Sequence, residues 1–462
     1  MNNQIKTSSV CLFFIFVSFV FVSCNKYLDK KPNDKLFVPT TLTDLQSLLD
    51  DDANMNLRGT PSLGEASSDE FFLNDGEFNS LGESDQAVYL WQNYFEEGSE
   101  TDWGDNYVPV YTSNLVLETI DNIEKNADNQ VEWNNVKGSA LFYRSYYFLC
   151  LLWNYAKAYD SSTSGKDPGI VLKTSSDFNV KSVRATNEEC YQKVINDTKA
   201  SIPLLPAAPS VLTRPSKTAA YGLLARCYLS MRDYKDALLY ADSSLQLNAQ
   251  LMDYNNDADI PDGIASDEPF KIFNKETLFV SVIDGDNWIY ITAYIGSVDT
   301  TLFGIYDVND LRRTAFYKDN ADGYKYFKGS YTGDSYNFSG MGTDEMYLIR
   351  AEGYIRTGQI QKGIADLNTL LSKRYTTGTF KPISTTNQAE ALSDVLNERR
   401  RELVMRGLRW MDLKRLNAGG ANITLRHTVN NTTYTLLPGA NHYALQIPDD
   451  IIQITGMPQN PQ

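Results

Sequence analysis

The spacing of apolar and polar positions predicts that most of the chain is helical. Apolar side chains recur every three or four residues in eight segments, which is the period of an amphipathic helix. These segments span residues 111–123, 130–158, 187–205, 215–231, 234–248, 344–357, 360–374 and 387–405. Strand-like stretches are short and scattered, at 278–283, 288–295, 428–437 and 443–448. Acidic residues in the next turn indicate Thr186 or Asn187 as one helix cap and Thr343 as another.

Two of these helical segments repeat each other at a fixed offset of 126 residues. Aromatic and small residues hold the matching positions: Tyr221, Ala225, Tyr228 and Ala237 correspond to Tyr347, Ala351, Tyr354 and Gly363. The spacing resembles the tetratricopeptide repeat, in which small residues let antiparallel helices approach closely. Generic helical hairpins are the alternative. We predict a mostly α fold of about eight helices in tetratricopeptide-like pairs, with irregular loops and a few short strands on one face.

The same pattern divides the chain into a scaffold and a loop face. Helical segments place the scaffold at about 111–158, 187–248 and 344–416. The intervening segments, at about 56–107, 249–343 and 417–447, are predicted to carry the loops. Residues 247–343 separate the two repeats and are rich in Asp, Asn, Gly and Tyr. An insertion of this kind in a solenoid is expected to lie on one face.

The N-terminus has the pattern of a lipoprotein signal. The apolar run at 10–23 is fourteen residues long, which is too short to cross about 30 Å of hydrocarbon but suits a secretory signal. Cys24 follows directly and resembles the cysteine of a lipobox, so residues 1–23 are a predicted signal peptide and Cys24 a predicted lipidation site. An ordinary signal peptide with a chance cysteine is the alternative. Residues 24–462 are then expected to form one domain.

Composition excludes two classes of protein. The formal net charge of −16 and a pI near 4.7 argue against general nucleic-acid binding, which needs a basic field. After the signal, Cys150, Cys190 and Cys227 remain, and an odd number in apolar helices is no disulfide framework. The tryptophans of the helical stretches, Trp133, Trp153 and Trp410, are predicted to lie in the core.

A basic segment at 397–416, NERRRELVMRGLRWMDLKRL, stands out in this acidic chain. Its apolar positions Leu396, Leu403 and Trp410 recur every seven residues and predict a buried stripe. Pairs within the helix are expected between Glu398 and Arg401 and between Glu402 and Arg406. The surplus arginines, Arg399, Arg400 and Arg409, are expected to pair with acids of other helices.

Several segments together resemble the SusD/RagB family of outer-membrane nutrient-binding lipoproteins. They are CNKYLDKKP, DEMYLIRAEGYIRTG, the basic segment 397–416, and the tail LQIPDDIIQITGMPQNPQ. The resemblance implies a helical domain on the outer leaflet, facing the cell exterior. It also implies that the protein binds a glycan, or in some members an oligopeptide, and delivers it to a TonB-dependent transporter of the SusC type.

Candidate ligand residues come from two aromatic-rich segments outside the repeats. Flat rings stack on the C–H faces of sugars, and amides and carboxylates fix the hydroxyls. The first segment offers Asp69, Trp91, Tyr94, Trp103, Asn106 and Tyr107, and the second offers Asp286, Trp288, Tyr290 and Tyr294. The resemblance favours Trp103 and Asn106, since a Trp followed three residues later by an Asn lies in the family's glycan sites. A packing role is the alternative for these rings.

Catalysis is not expected. After the signal, only His427 and His442 remain as histidines, and no GxSxG, P-loop or CxxC pair occurs. No cofactor and no metal site are predicted, and paired carboxylates carry little information among 58 acidic residues. A helical-repeat scaffold that binds proteins in the cell envelope is the remaining alternative to a nutrient-binding lipoprotein.

Overall fold

Helices account for most of the structure, a computed structural model that describes residues 38–57, 59–98, 101–283 and 295–462. The helices within these ranges are α1 Leu42–Leu49, α2 Asp52–Met55, α3 Leu63–Ala66, α4 Asp75–Asn79, α5 Glu83–Tyr89, α6 Asp102–Ile120, α7 Gln130–Tyr155, α8 Asn187–Ser201, α9 Lys217–Ser230, α10 Tyr234–Leu247, α11 Thr300–Gly304, α12 Arg312–Ala315, α13 Thr343–Arg356, α14 Ile360–Leu371, α15 Gln388–Glu402, α16 Arg409–Ala418 and α17 Asp449–Thr455. A short 3-10 helix spans Asn441–Tyr443. The predicted mostly α fold is confirmed.

The strands of the described ranges are short and pair two by two. They are β1 Phe71–Phe72, β2 Pro168–Val171, β3 Arg184–Thr186, β4 Thr277–Phe279, β5 Ser297–Val298, β6 Tyr317–Asp319, β7 Lys325–Phe327, β8 Met341–Gly342, β9 Leu425–Val429 and β10 Thr432–Leu436. Each pair is antiparallel: β1 with β5, β2 with β3, β4 with β8, β6 with β7 and β9 with β10. These ladders are too small to form a layer, so the core lies between helices.

Successive long helices pack on one another and build the scaffold. Helix α6 packs on α7 and α7 on α8, while α9, α10, α13 and α14 follow each other in the same way. The repeat positions lie where helices meet: Ala225, Ala237 and Ala351 have no exposed surface. A Cβ atom on Gly363 would lie 2.6 Å from the Ile355 side chain, so this position needs glycine. Residues from Thr41 to Gln462 form one compact unit.

Of the two predicted helix N-caps, one is confirmed and one is wrong. Thr186 caps α8 as predicted, since its hydroxyl accepts from the Glu189 amide in a capping box. The predicted cap at Thr343 is wrong, because Gly342 precedes the helix and the Thr343 hydroxyl donates to the Gln250 carbonyl at 2.5 Å. The hydroxyl therefore donates to a distant carbonyl instead of accepting from an amide of its own helix.

The strand predictions had mixed outcomes. The 278–283 stretch contributes to β4, whereas 428–437 is split by a turn at Asn430 and Asn431, both with positive φ, into parts of the hairpin β9–β10. The 443–448 stretch is not a strand, because a 3-10 turn precedes it and Leu445 bonds the Asn154 carbonyl. Nearly all of 288–295 lies outside the described residues.

The basic segment is folded as two helices with a sharp turn between them. Helix α15 ends at Glu402 and α16 begins at Arg409, and Met405 and Gly407 have φ of 56° and 67°. A continuous helix to residue 405 was therefore wrong. Leu403 and Trp410 are buried as predicted, although a turn separates them.

Most of the predicted charge pairs of this segment are present. Glu398 pairs with Arg401 at 2.7 Å. The three surplus arginines reach acids of other elements: Arg399 pairs with Asp412, Arg400 with Asp69 and Arg409 with Asp69. The Glu402–Arg406 pair is wrong, because Glu402 accepts from Arg312 and Arg374 while Arg406 lies 2.8 Å from Asp344.

Two further predictions concern the interior and the membrane. Trp153 and Trp410 are buried, whereas Trp133 is only half-buried and lies between the ammonium groups of Lys125 and Lys137. Within the described ranges, we find no helix that combines the length and the apolar character needed to span a bilayer.

Candidate ligand-binding site

An aromatic cavity of about 260 Å³ lies between α6, the connection from β2 to β3, and α17. Helix α6 supplies one wall because its N-cap, Thr101, starts the helix ten residues before the predicted start. The earlier start puts ring-bearing residues at helical spacing on one face. The side chains that line the cavity include Trp103, Tyr107, Val110, Tyr111, Asn114, Val171, Lys173, Asp177, Phe178, Ser182, Ile451 and Met457.

Ring–ring contacts fix the wall of the cavity, and one ring at the mouth is exposed to solvent. The Trp103 indole is only 4% exposed and packs edge-on against Tyr155 with ring centroids 5.0 Å apart. Tyr107 lies next to it, at 5.1 Å. At the mouth, Tyr111 stacks on Phe178 at 4.9 Å, and Phe178 is 80% exposed. The exposed face of the Phe178 ring, next to the cavity, is available for stacking.

The polar groups around the cavity are engaged with the protein itself. The Tyr107 hydroxyl donates to the Val171 carbonyl at 2.8 Å and accepts from the Val171 amide at 3.1 Å. Burial raises the pKa of Tyr107 well above its usual range, so the phenol stays neutral. The Asn114 amide donates to the Lys173 carbonyl at 2.9 Å and accepts from Arg144 at 2.9 Å. The inner wall therefore presents ring faces and methyl groups.

Of the six predicted ligand residues that the structure describes, it brings two to this cavity, Trp103 and Tyr107. Asn106 has no exposed surface, and its amide donates to the Asp102 carbonyl. The Tyr94 hydroxyl donates to the Gln446 carbonyl at 3.1 Å. Trp91 is buried, and its indole donates to the Ser67 carbonyl at 3.0 Å. Asp286, Trp288, Tyr290 and Tyr294 lie outside the described residues, as does Cys24.

Asp69, also among the six, is held by two guanidinium groups. Arg409 Nε donates to its Oδ1 at 2.6 Å, and Arg400 Nη2 lies 3.1 Å from its Oδ2. Burial alone would raise the pKa of Asp69, but Arg409 and then Arg400 outweigh it and bring the pKa to about 2. The carboxylate thus joins the connection between α3 and β1 to α15 and α16.

Some lining residues were not predicted from the sequence. Tyr111 follows Tyr107 by four residues and Trp103 by eight, so an earlier helix start would have revealed it. Phe178 lies in an irregular loop, and Met457 in the C-terminal tail. Neither segment has a periodic pattern, so only the fold brings them to the cavity.

A group of three buried carboxylates, Glu276, Asp344 and Glu402, is the one set of possible metal ligands found in the described ranges. Arginines already pair with all three carboxylates. Arg374 Nη2 donates to Glu276 at 2.8 Å and lies 2.7 Å from Glu402, and Arg406 lies 2.8 Å from Asp344. Guanidinium groups therefore occupy the place of a cation, and the group is part of the core.

Neither histidine has the setting of a general base. His427 stacks between Tyr89 and Trp91, with ring centroids 3.9 and 4.5 Å away. Burial lowers the pKa of His427 to about 3 and also lowers the pKa of His442. The His427 imidazole is neutral and serves to join the β9–β10 hairpin to α5.

Comparison with known proteins places the chain in a family. The profile described as "Starch-binding associating with outer membrane" matches residues 26–229, and the profile described as "SusD family" matches residues 310–454. No curated protein sequence matches the chain. Crystal structures with the same fold include a SusD superfamily protein from Bacteroides thetaiotaomicron, at 21% identity and a TM-score of 0.73, covering 91% of this chain and 100% of that one.

Two further structures share the fold. A SusD-like carbohydrate binding protein from Bacteroides vulgatus is 20% identical, with a TM-score of 0.66 and coverage of 90% of this chain and 97% of that one. The surface glycan-binding protein A from Bacteroides fluxus is 16% identical, with a TM-score of 0.69 and coverage of 92% and 100%. From the two profiles and the signature segments, the chain belongs to the SusD/RagB family.

Proposed function

We propose that this protein is an outer-membrane surface lipoprotein that binds a glycan in the aromatic cavity and delivers it to a TonB-dependent transporter of the SusC type. The observation that carries the proposal is the ring-lined cavity, in which Trp103, Tyr107 and Tyr111 share one face of α6 and Phe178 stands exposed at the mouth. Family membership and the carbohydrate-binding and glycan-binding descriptions of two proteins of the same fold support it.

The size of the cavity indicates how a glycan would bind. Ligand pockets for drug-sized molecules hold roughly 300–1,000 Å³, so a cavity of about 260 Å³ suits one sugar residue. The rest of the glycan would then cross the mouth of the cavity over Phe178. Sugar faces stack on exposed rings without burying hydroxyl groups, because the hydroxyls lie at the ring edge.

We propose binding without catalysis. His427 packs between two rings, burial lowers the pKa of His442, and Asp69 is paired with two arginines. The chain therefore offers ring faces for contact, and the Tyr107 and Asn114 side chains beside them are already bonded within the protein.

The ring contacts are tested with two variants at the mouth, Phe178→Ala and Tyr111→Ala. A stacked ring contributes about 0.5–1.5 kcal/mol beyond its buried area, so each variant is expected to lower glycan affinity about tenfold. The measurement is isothermal titration with the best ligand from a glycan array. Phe273→Ala is the matched control, since Phe273 is 48% exposed and does not line the cavity. Equal affinity of all four proteins would exclude this cavity as the site.

Anchoring and the partner are tested in cells. Cys24→Ser should release the protein from the outer membrane, because the lipid is its proposed anchor. The wild type, solubilised from membranes, should co-purify with a TonB-dependent barrel. Correct surface display without any barrel in the purified material would contradict the proposed delivery and favour an envelope scaffold.

A further inference from the structure

The inner wall of the aromatic cavity offers apolar contacts rather than hydrogen bonds. Val110 and Val171 are almost fully buried and contribute methyl groups, and Met457, 6% exposed, contributes its thioether. Ile451 adds a further apolar side chain from α17. Burying an apolar group against an apolar wall is favourable by about 25 cal/mol of free energy for each Å² of apolar surface removed from water.

Three polar side chains beside this wall have partners already. The Tyr107 phenol is bonded to both the amide and the carbonyl of Val171, and Asn114 is bonded at both ends of its amide. The Thr455 hydroxyl donates to the Ile451 carbonyl at 2.6 Å. A sugar hydroxyl pushed against this wall would give up water without a replacement, at a cost of roughly 1–3 kcal/mol.

The rim differs from the wall in having polar groups within reach of solvent. Asp177 is exposed there, and Ser182 is half-buried. A carboxylate accepts several hydrogen bonds at once, so the rim can hold the hydroxyls of a sugar whose apolar part faces inward. The cavity therefore suits a sugar residue whose apolar side faces the inner wall and whose polar side faces the rim.

We infer that the cavity selects a methyl-bearing sugar, in which the methyl group of a 6-deoxyhexose or of an N-acetylhexosamine enters the apolar interior between Val110, Val171 and Met457. This inference rests on the proposed glycan-binding function and adds a class of ligand to it. The common chemistry is a substituent that ends in a methyl group at the edge of a pyranose. A 6-deoxyhexose has CH3 where an ordinary hexose has CH2OH, and an N-acetylhexosamine has an acetamido group where an ordinary hexose has the 2-hydroxyl.

Matched sugars test the inference directly. Methyl α-L-fucoside and methyl α-L-galactoside differ only by the 6-hydroxyl, and N-acetyl-D-glucosamine and D-glucose differ at the 2-substituent. Titration of the full mature protein with each sugar should show at least a tenfold preference for the methyl-bearing member of one pair. The pair that shows it identifies the source of the methyl group.

The variant Met457→Gln should narrow that preference to less than threefold, because its amide can bond a hydroxyl inside the cavity. Met457→Leu keeps the wall apolar and should retain the preference. Glycan binding with equal affinity within both pairs overturns the inference and leaves the proposed function standing. If no sugar binds but N-acetyl-L-leucinamide does, the inference and the proposed glycan-binding function are both wrong, and the ligand is an oligopeptide.

Discussion

Replacing Arg312 by methionine is expected to remove about 3–5 kcal/mol from the free energy of unfolding, the cost of breaking a buried ion pair from one side. The guanidinium has no exposed surface and donates to three carboxylates, Asp310, Glu398 and Glu402, at 2.5 to 2.9 Å. Methionine fills much of the volume but leaves these carboxylates without their shared partner. Since whole domains are stable by only about 5–15 kcal/mol, such a loss is large.

The loss should grow with pH. Burial alone would raise the pKa of Glu398, but Arg312 and Arg401 lower it to about 2. Without Arg312, the buried carboxylates would hold protons to higher pH, so the variant should be least stable in alkaline buffer. Chemical denaturation at pH 5 and pH 8 measures both effects.

The adjacent arginine provides the control. Arg313 is half-buried, donates to the Tyr306 carbonyl at 3.1 Å and lies over the Phe303 ring. Arg313→Met should cost about 1 kcal/mol or less. Equal losses for the two variants would show that the buried network contributes nothing beyond an ordinary surface arginine.

This network also shows what could and could not be read from the sequence. The excess arginines of 397–416 predicted partners on other helices. Arg399 has one in Asp412 of α16, whereas Arg400 and Arg409 pair with Asp69, which lies in the connection between α3 and β1. The identity of those partners was not readable, because Asp69 and Arg409 are far apart in the chain. Glu402 was assigned to Arg406 by helical spacing, yet Arg312 and Arg374 reach it through the core.

The candidate site could also be predicted only in part from the sequence. Trp103 and Tyr107 were predicted from residue type and family spacing, and the structure places both on the cavity wall. Residue type alone selected Trp91, whose ring packs on His427 inside the protein. Residue type alone does not separate a ring that faces a ligand from one that faces the core. Phe178 reaches the cavity from a loop whose path is set by tertiary contacts.

The turn between α15 and α16 is held by two buried carboxyl groups. Glu70 Oε2 accepts from the Met405 amide at 2.6 Å, and Glu65 Oε2 accepts from the Gly407 amide at 2.9 Å. Burial raises the pKa of both carboxyl groups, and the neighbouring Glu65 raises that of Glu70 further, so we expect one of the two to keep a proton and donate it to the other. Asp69 lies beside them and pairs with Arg400 and Arg409, and Arg400 also lies 3.6 Å from Asp299.

Replacing Glu70 by glutamine is therefore expected to remove one source of alkaline instability. Burial, and then the neighbouring Glu65, raise the pKa of Glu70 well above its ordinary value of 4.5. The unfolded chain releases this proton near pH 4.5, whereas the folded protein keeps it. Above that pH the contribution to stability falls by about 1.4 kcal/mol per unit, until the pKa of the folded state is passed.

A glutamine side chain has an N–H donor for Glu65 at every pH. The free energy of unfolding of the Glu70→Gln variant, relative to that of the wild type, should therefore rise steadily from pH 5 to pH 8. The measured quantity is the difference in the free energy of unfolding between variant and wild type at each pH, which cancels the other titrating groups. Glu268→Gln, at an exposed position, should run parallel to the wild type. If Glu70→Gln runs parallel as well, the two carboxyls do not share a proton, and the turn at Met405 and Gly407 is held by two charged acceptors.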